Sequence, residues 1–423
     1  MRIAVIGTGI AGLTAARELH GSHELTVFEA SDWVGGHTHT LDVPTADGST
    51  LAVDTGFIVF NEKTYPGFCG LLQELGVPWQ ASDMSFSVKC DRTGLEYNGT
   101  NLDKLFAQRS NLLRPSFWRM VKDILRFYRE AEAVLDPAAQ EETLGGYLER
   151  NGYGRAFIEQ HMIPMGAAIW STCPEEMLAF PLRFLVQFFH NHGFLQVDGR
   201  PQWLVVEGGS RSYVEPLTRP FRDRIRLRTP VHAVSREPDG RVRVRSADGG
   251  DEVFDRVVMA THSDTTQKLL ADATPLEREV LGGFAYQPNE VVLHTDTSIM
   301  PRRRRAWASW NYHLTEPASE LPTVTYWMNL LQGLEAQEEY LVTLNRSADI
   351  DPARVVASFV YDHPVYSMAS VRSQERHAEI DGVNGVHFCG AYWRYGFHED
   401  GLQSGLTAAR RVEERAGMEA ALA

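Results

Sequence analysis

A glycine loop set directly behind an apolar strand constrains this chain more than any other feature. Gly7-Thr8-Gly9-Ile10-Ala11-Gly12 follows the apolar residues 3–6 and leads into a helical pattern through Leu13, Ala16 and Leu19. Gly7 permits a tight turn, Gly9 removes the Cβ that would hold a phosphate away from the backbone, and Gly12 lets the helix lie close on the strand. Unpaired N–H groups and the positive end of the helix dipole then face the phosphates, with Ile10 and Ala11 in the first turn. A second apolar strand, Leu25-Thr26-Val27-Phe28, ends in Glu29 and Ala30, 17 residues after Gly12. A carboxylate at that spacing suits a ribose hydroxyl. The pattern predicts a strand–loop–helix–strand dinucleotide site.

The other end of the chain carries a matching signal. Phe388-Cys389-Gly390-Ala391 is followed by Glu399-Asp400-Gly401-Leu402-Gln403-Ser404-Gly405. Two glycine motifs this far apart imply one long cofactor held by both, and that cofactor is read as FAD. Between them, residues 57–200 are rich in helical and aromatic patterns. An α/β signal resumes at Trp203, and residues 286–370 read as β-rich. The expected fold is α/β, a discontinuous Rossmann-like FAD-binding domain with an inserted α+β substrate domain. The FAD-binding pieces are residues 1–56, 201–285 and 371–423, and the substrate pieces are 57–200 and 286–370.

Composition narrows the function classes. The chain has 423 residues, 43% hydrophobic and 23% charged, with a formal net charge of −14. That charge argues against nucleic acid as a partner. Cys69, Cys90, Cys173 and Cys389 lack CxxC or metal spacing and read as free thiols in a reducing cytoplasm. His190-Asn191-His192 lacks acidic ligands nearby, so no metal site is expected. Lysine is scarce, and none follows Lys268.

Taken together, the motifs resemble the flavin-containing amine oxidase and phytoene desaturase superfamily over nearly the whole chain. Gly7, Gly9, Gly12 and Glu29 form the first match. Gly35-Gly36-His37-Thr38 is the second, where the family has Gly-Gly-Arg followed by Thr or Ser. Val231 matches the strand whose backbone meets the adenine. Gly390-Ala391 with Gly401-Leu402 matches the place where the family sets a helix N-terminus near the flavin ring. The resemblance thus implies cofactor roles for all of these positions.

A narrower resemblance lies in residues 388–405 and 325–332. They are similar to bacterial FAD-binding oxidoreductases encoded beside cyclopropane-fatty-acid synthase-like methyltransferases. This implies dehydrogenation of an apolar, methyl-branched acyl chain, with a hydrophobic small molecule or lipid as substrate and a lipid methyltransferase as partner. Two alternatives stay open: a flavin amine oxidase, and a flavoprotein module that supports the methyltransferase without turnover. Residues 286–291 lack the lysine that amine oxidases place there. No segment matches a covalent flavin attachment, so FAD is expected to be non-covalent. His37 in place of arginine alters one phosphate contact. Phe397 stands where the family often has tyrosine, and His398 beside it is the first candidate for a proton acceptor.

Two further stretches bear on the substrate. Residues 179–189 supply aromatic material for an apolar pocket, or for ordinary domain core. Residues 109–129 interleave Arg109, Arg114, Arg119, Lys122, Arg126 and Arg129 with large apolar side chains. That pattern reads as an interfacial surface for peripheral membrane contact, or as a solvated helix face. A second basic run occupies residues 302–305.

Overall fold

The structure, a computed structural model, describes residues 1–45 and 48–422, with the side chains of residues 1–45 and 48–415. Five parallel strands form the nucleotide sheet, in spatial order Ile225–Arg226, Glu24–Phe28, Arg2–Ile6, Arg256–Met259 and Val386–Phe388. Such a sheet is buried on both faces, which is why Val257, Val258 and Met259 are fully buried in sequence. A smaller antiparallel sheet, Val231–Arg236, Val242–Ser246 and Asp251–Phe254, lies in the chain between Ile225–Arg226 and Arg256–Met259.

Five helices frame the site: α1 (Ile10–Leu19), α2 (Pro66–Leu75), α3 (Pro115–Glu130), α4 (Leu182–His192) and α5 (His398–Leu422). The substrate side is built on a seven-stranded sheet, in order Val355–Val365, Ala285–His294, Leu341–Leu344, Val324–Trp327, Trp310–Leu314, Phe86–Cys90 and Leu95–Asn98. Its last two strands come from the stretch read as helical. Phe86–Cys90 is fixed by pairing with a strand over 200 residues away, Trp310↔Phe86 and Tyr312↔Val88, and Leu95–Asn98 pairs onto it as the edge.

The domain boundary at residue 56 needs correction. Strands Val59–Phe60 and Trp79–Ser82 flank Trp203–Val206 in a three-stranded sheet. Phe60, Tyr65, Phe68, Leu71 and Leu72 share a hydrophobic core with Leu13, Ala16 and Leu402. Residues 57–82 therefore pack with the nucleotide domain. The stretch at 109–129 also differs from one continuous helix. A 3-10 turn covers Arg109–Leu113, and Pro115 then starts α3 afresh, as a proline at the first helical position does.

Candidate active site

The glycine loop folds as its spacing predicts. Gly7 has φ +106°, and a Cβ there would lie 2.7 Å from the Ala260 carbonyl oxygen. A Cβ on Gly12 would collide with the Gly7 carbonyl. Gly9 is different: among the described residues a Cβ would meet nothing within 4 Å. It caps α1 with no side-chain hydrogen bond and no acid in the first turn. The helix N-terminus is thus an uncapped anion cradle, and its glycine makes room for phosphates. Gly35 and Gly36 cover it, with Gly36 packed so closely that a Cβ would lie 3.0 Å from the Gly9 Cα.

The adenosine half has its own supports. The Glu29 carboxylate accepts from the Thr8 amide at 3.0 Å, the Ser31 amide at 2.8 Å and the Thr8 hydroxyl. These bonds orient the carboxylate at the end of its strand, with Ala30 exposed beside it. The Thr229 amide donates to the Glu29 carbonyl at 2.8 Å, which brings the chain leading to Val231 past the same edge. The cradle, the carboxylate and this edge fit the pyrophosphate, ribose and adenine of FAD.

At the C-terminal motif the structure moves the contact. The amide of Cys389 donates to the Met259 carbonyl at 2.9 Å, and that of Gly390 to the Ser404 hydroxyl at 3.0 Å. Ala391 follows, partly exposed. The cofactor roles expected for Gly401 and Leu402 are corrected. Helix α5 begins at His398, and the Gly401 amide is already spent on the Phe397 carbonyl at 3.0 Å. Gly401 and Gly405 serve instead as a seam against α1. A Cβ on Gly401 would lie 2.6 Å from Ile10 Cγ2, and one on Gly405 would strike the Ala11 carbonyl. Leu402 is buried in the core beneath. The amides that α5 leaves without intrahelical partners are those of its first turn, beginning at His398.

His398 is not the free proton acceptor expected of it. Its ring stacks on Phe57 with centroids 3.7 Å apart, and its Nε2 lies 2.7 Å from the Tyr213 hydroxyl. That hydroxyl lies 2.7 Å from the Thr38 hydroxyl. Burial lowers the imidazole to about 3, so the ring is neutral. The chain His398–Tyr213–Thr38 ties the C-terminal motif to the Gly35–Thr38 segment, and His398 is a positioning residue within it. Phe397 lies next to it, partly exposed, and stacks on Phe188 of α4 at 4.9 Å.

His37 sits in a cluster that sequence reading did not foresee. Its ring lies 5.2 Å from Tyr361, 5.8 Å from His363 and 5.9 Å from His262. Among the described residues its Nε2 has no hydrogen-bond partner. Burial, reinforced by the neighbouring imidazoles, holds its pKa well below the ordinary value. Where the resemblance implies a guanidinium, the chain therefore offers a neutral hydrogen-bonding ring. Tyr361 and His363 lie on one face of Val355–Val365, two residues apart. That period-2 alternation of Phe359, Tyr361 and His363 was the available signal.

The strand Ala285–His294 stands where the resemblance expects a lysine. Asn289 there contacts His363, with Nδ2 and Nδ1 3.0 Å apart, and Tyr286 stacks on His262 at 4.6 Å. The strand carries no lysine. Facing Phe397, α4 presents Phe184 and Phe188, continued by Trp170, Tyr366 and Tyr395. This is the aromatic stretch 179–189, and it forms a wall beside the C-terminal motif. A cleft of about 460 Å³ opens there, lined by Lys63, Tyr65, His190, Arg394, Phe397 and Asp400 among others. Among the described residues, neither Lys63 nor Arg394 is held in an ion pair.

The fold and site define a flavoprotein with a dinucleotide cradle and, beside the C-terminal motif, a largely polar cleft that Tyr65, Tyr395 and Phe397 also line. The chain belongs to the flavin containing amine oxidoreductase family, whose pattern matches residues 10–413, and FAD is its cofactor. It is similar to cyclohexylamine oxidase from Brevibacterium oxydans IH-35A, with 17% identity, a TM-score of 0.71, and 98% of this chain and 99% of that chain covered. It is also similar to a CLA-producing fatty acid isomerase from P. acnes, with 15% identity, a TM-score of 0.67, and 97% and 98% covered. Over 80 residues it is 38% identical to Probable flavin-containing monooxygenase 1 of Arabidopsis thaliana, a match spanning 18% of this chain and 15% of that protein. At these identities the structural likenesses speak for the fold.

Proposed function

We propose that this protein is an FAD-dependent dehydrogenase of an apolar, methyl-branched acyl chain, placing a double bond in it. The overall change removes two hydrogens from adjacent carbons, and the Gly9 cradle and Glu29 would hold the FAD that takes up their two electrons. FAD supplies the two-electron acceptor. The protein's task is to hold a C–H bond in place and keep water away. The cleft beside Tyr395 and Phe397, backed by the largely buried aromatic layer of Trp170, Phe184 and Phe188, is the observation that carries this reading. It suits a long apolar chain, and Lys63 and Arg394 at the cleft suit an anionic head group. The fatty acid isomerase neighbour is compatible with this reading.

Amine oxidation is a second reading, favoured by the family and by the cyclohexylamine oxidase neighbour. The lysine-free strand Ala285–His294 weighs against it. A third is a module that supports a lipid methyltransferase. Anaerobic mixing separates the three. The flavin colour should bleach with branched acyl lipid and persist with amines. Bleaching by amines alone assigns an amine oxidase, and no bleaching by either favours the supporting module. Arg394→Gln should raise KM for an anionic acyl substrate about tenfold and leave kcat largely unchanged, the signature of lost ground-state binding.

A further inference from the structure

Among the described residues, five of the ten exposed large apolar side chains fall in residues 102–125: Leu102, Leu112, Leu113, Trp118 and Leu125. Leu102 is 75% exposed and Leu113 87%. They form one surface. The Trp118 indole donates to the Leu112 carbonyl at 2.9 Å, and its ring lies 5.3 Å from Phe106, which follows the short helix begun by Leu102. Leu125 is two turns beyond Trp118 on the outer face of α3. The inner face buries Phe117, Met120 and Phe127 in the substrate-domain core.

The same outer face is cationic. Arg114, Arg119, Lys122 and Arg129 are in no ion pair among the described residues. Arg109 and Arg305 share one acid, Asp103. The structure withdraws other cations from the basic runs. Arg126 is bound to Glu130 at 2.9 Å and lies over the Tyr153 ring, Arg303 is held by Glu96, and Arg304 by Glu339. What remains is a cluster of unpaired cations around exposed leucines and a tryptophan. It stands on a chain of net charge −14.

We propose that this face docks on an anionic lipid bilayer. A solvated helix face has no use for Leu113 and Trp118 in water, and a water-filled groove would not call for four free cations. The interfacial zone of an anionic membrane takes both: leucine and tryptophan enter the acyl boundary while arginine and lysine stay with the head groups. Charge complementarity selects this occupant. The acidic remainder of the protein is repelled at short range, which orients the docked molecule. Beyond about 8 Å at physiological ionic strength that repulsion is screened. The proposal stands apart from the acyl-chain reading, since vesicle binding is measured without turnover.

The test is co-sedimentation of the FAD-loaded protein with vesicles of phosphatidylcholine alone or with added phosphatidylglycerol. Wild type should pellet with the anionic vesicles, remain in solution with the neutral ones, and be released by high salt. The variant R114Q/R119Q/K122Q/R129Q should keep its flavin spectrum and lose affinity on the order of 1,000-fold. Leu113→Asp with Trp118→Ser should lose binding while also keeping the flavin. Wild type left in the supernatant at low salt overturns the proposal, as does equal pelleting of the four-cation variant. So does a dimer in sedimentation velocity that the Leu113/Trp118 variant dissolves without any vesicle binding, which assigns the face to a second copy of the chain.

Discussion

Gly9 and Gly12 lie three residues apart in one loop, yet they answer to different forces. Gly12 is held by the protein itself, and a side chain there would collide with the Gly7 carbonyl. Gly9 faces open space and allows an ordinary φ of −62°. Gly9→Val should therefore fold with the stability of the FAD-free wild type and lose FAD, read as a colourless protein whose denaturation midpoint matches that of the wild-type apoprotein. Gly12→Val should cost about 3 kcal/mol or more in stability, as overpacking of a closed contact does. Asp400 offers a second test. Burial raises its carboxyl from 3.8 to about 7. The folded state then keeps a proton that the unfolded chain has already released. The stabilising effect is complete below about pH 3.8 and is lost as pH rises through 7. Asp400→Asn can still accept from the Phe397 amide, a bond of 3.0 Å in the wild type. It should remove this pH dependence, on the order of 4 kcal/mol, so that the variant is the more stable protein at pH 8. Melting curves of both proteins from pH 4 to pH 8 would falsify this if they run parallel.

Helix α5 shows how one element can serve two others. Its glycines close the seam with α1, and its first turn reaches α2. Glu399 accepts from the Gly67 amide at 3.0 Å and the Phe68 amide at 2.8 Å, so it caps α2 from another element. Tyr65, the residue before α2, supplies no side-chain cap of its own. Removing this cap by Glu399→Ala should cost about 1–2 kcal/mol in urea unfolding, and Glu399→Gln should recover part of it. Local reading missed this cap, because capping patterns are sought within a few residues and here donor and acceptor are over 300 apart. The same distance explains why Gly401 was assigned to the cofactor. A glycine near a helix start looks alike whether it admits a ligand or another helix.

Over the whole molecule, FAD is the cofactor that the motifs at the two chain ends are expected to share. It is expected to be non-covalent. Cys389 is fully buried, and burial raises its thiol far above the usual range, so it is not an attachment nucleophile. Acid precipitation should leave a colourless pellet and release FAD. Added back at about 100-fold over its Kd, FAD should stabilise the apoprotein by about 2.7 kcal/mol in a thermal scan, and NAD should not. The stabilisation should be absent in Gly9→Val.

Motifs whose meaning is local were legible in the sequence by itself. The fold of the glycine loop, the strand that leads into Glu29 and the α/β class follow from turn geometry, strand period and residue spacing, which neighbouring residues settle among themselves. The resemblance carried by the same motifs pointed to FAD. Tertiary structure decided what depends on residues far apart in the chain. It drew residues 57–82 into the nucleotide domain by hydrophobic packing. It paired Phe86–Cys90 with a distant strand, and joined His398 to Thr38 through Tyr213. It also gathered His37, His262, His363 and Tyr361 around one point, and sorted the cations of α3 into paired and free. The physical reason is common to all of these. A hydrogen bond, an ion pair or a buried contact acts over a few ångströms in space, and only the folded chain sets which residues stand that close.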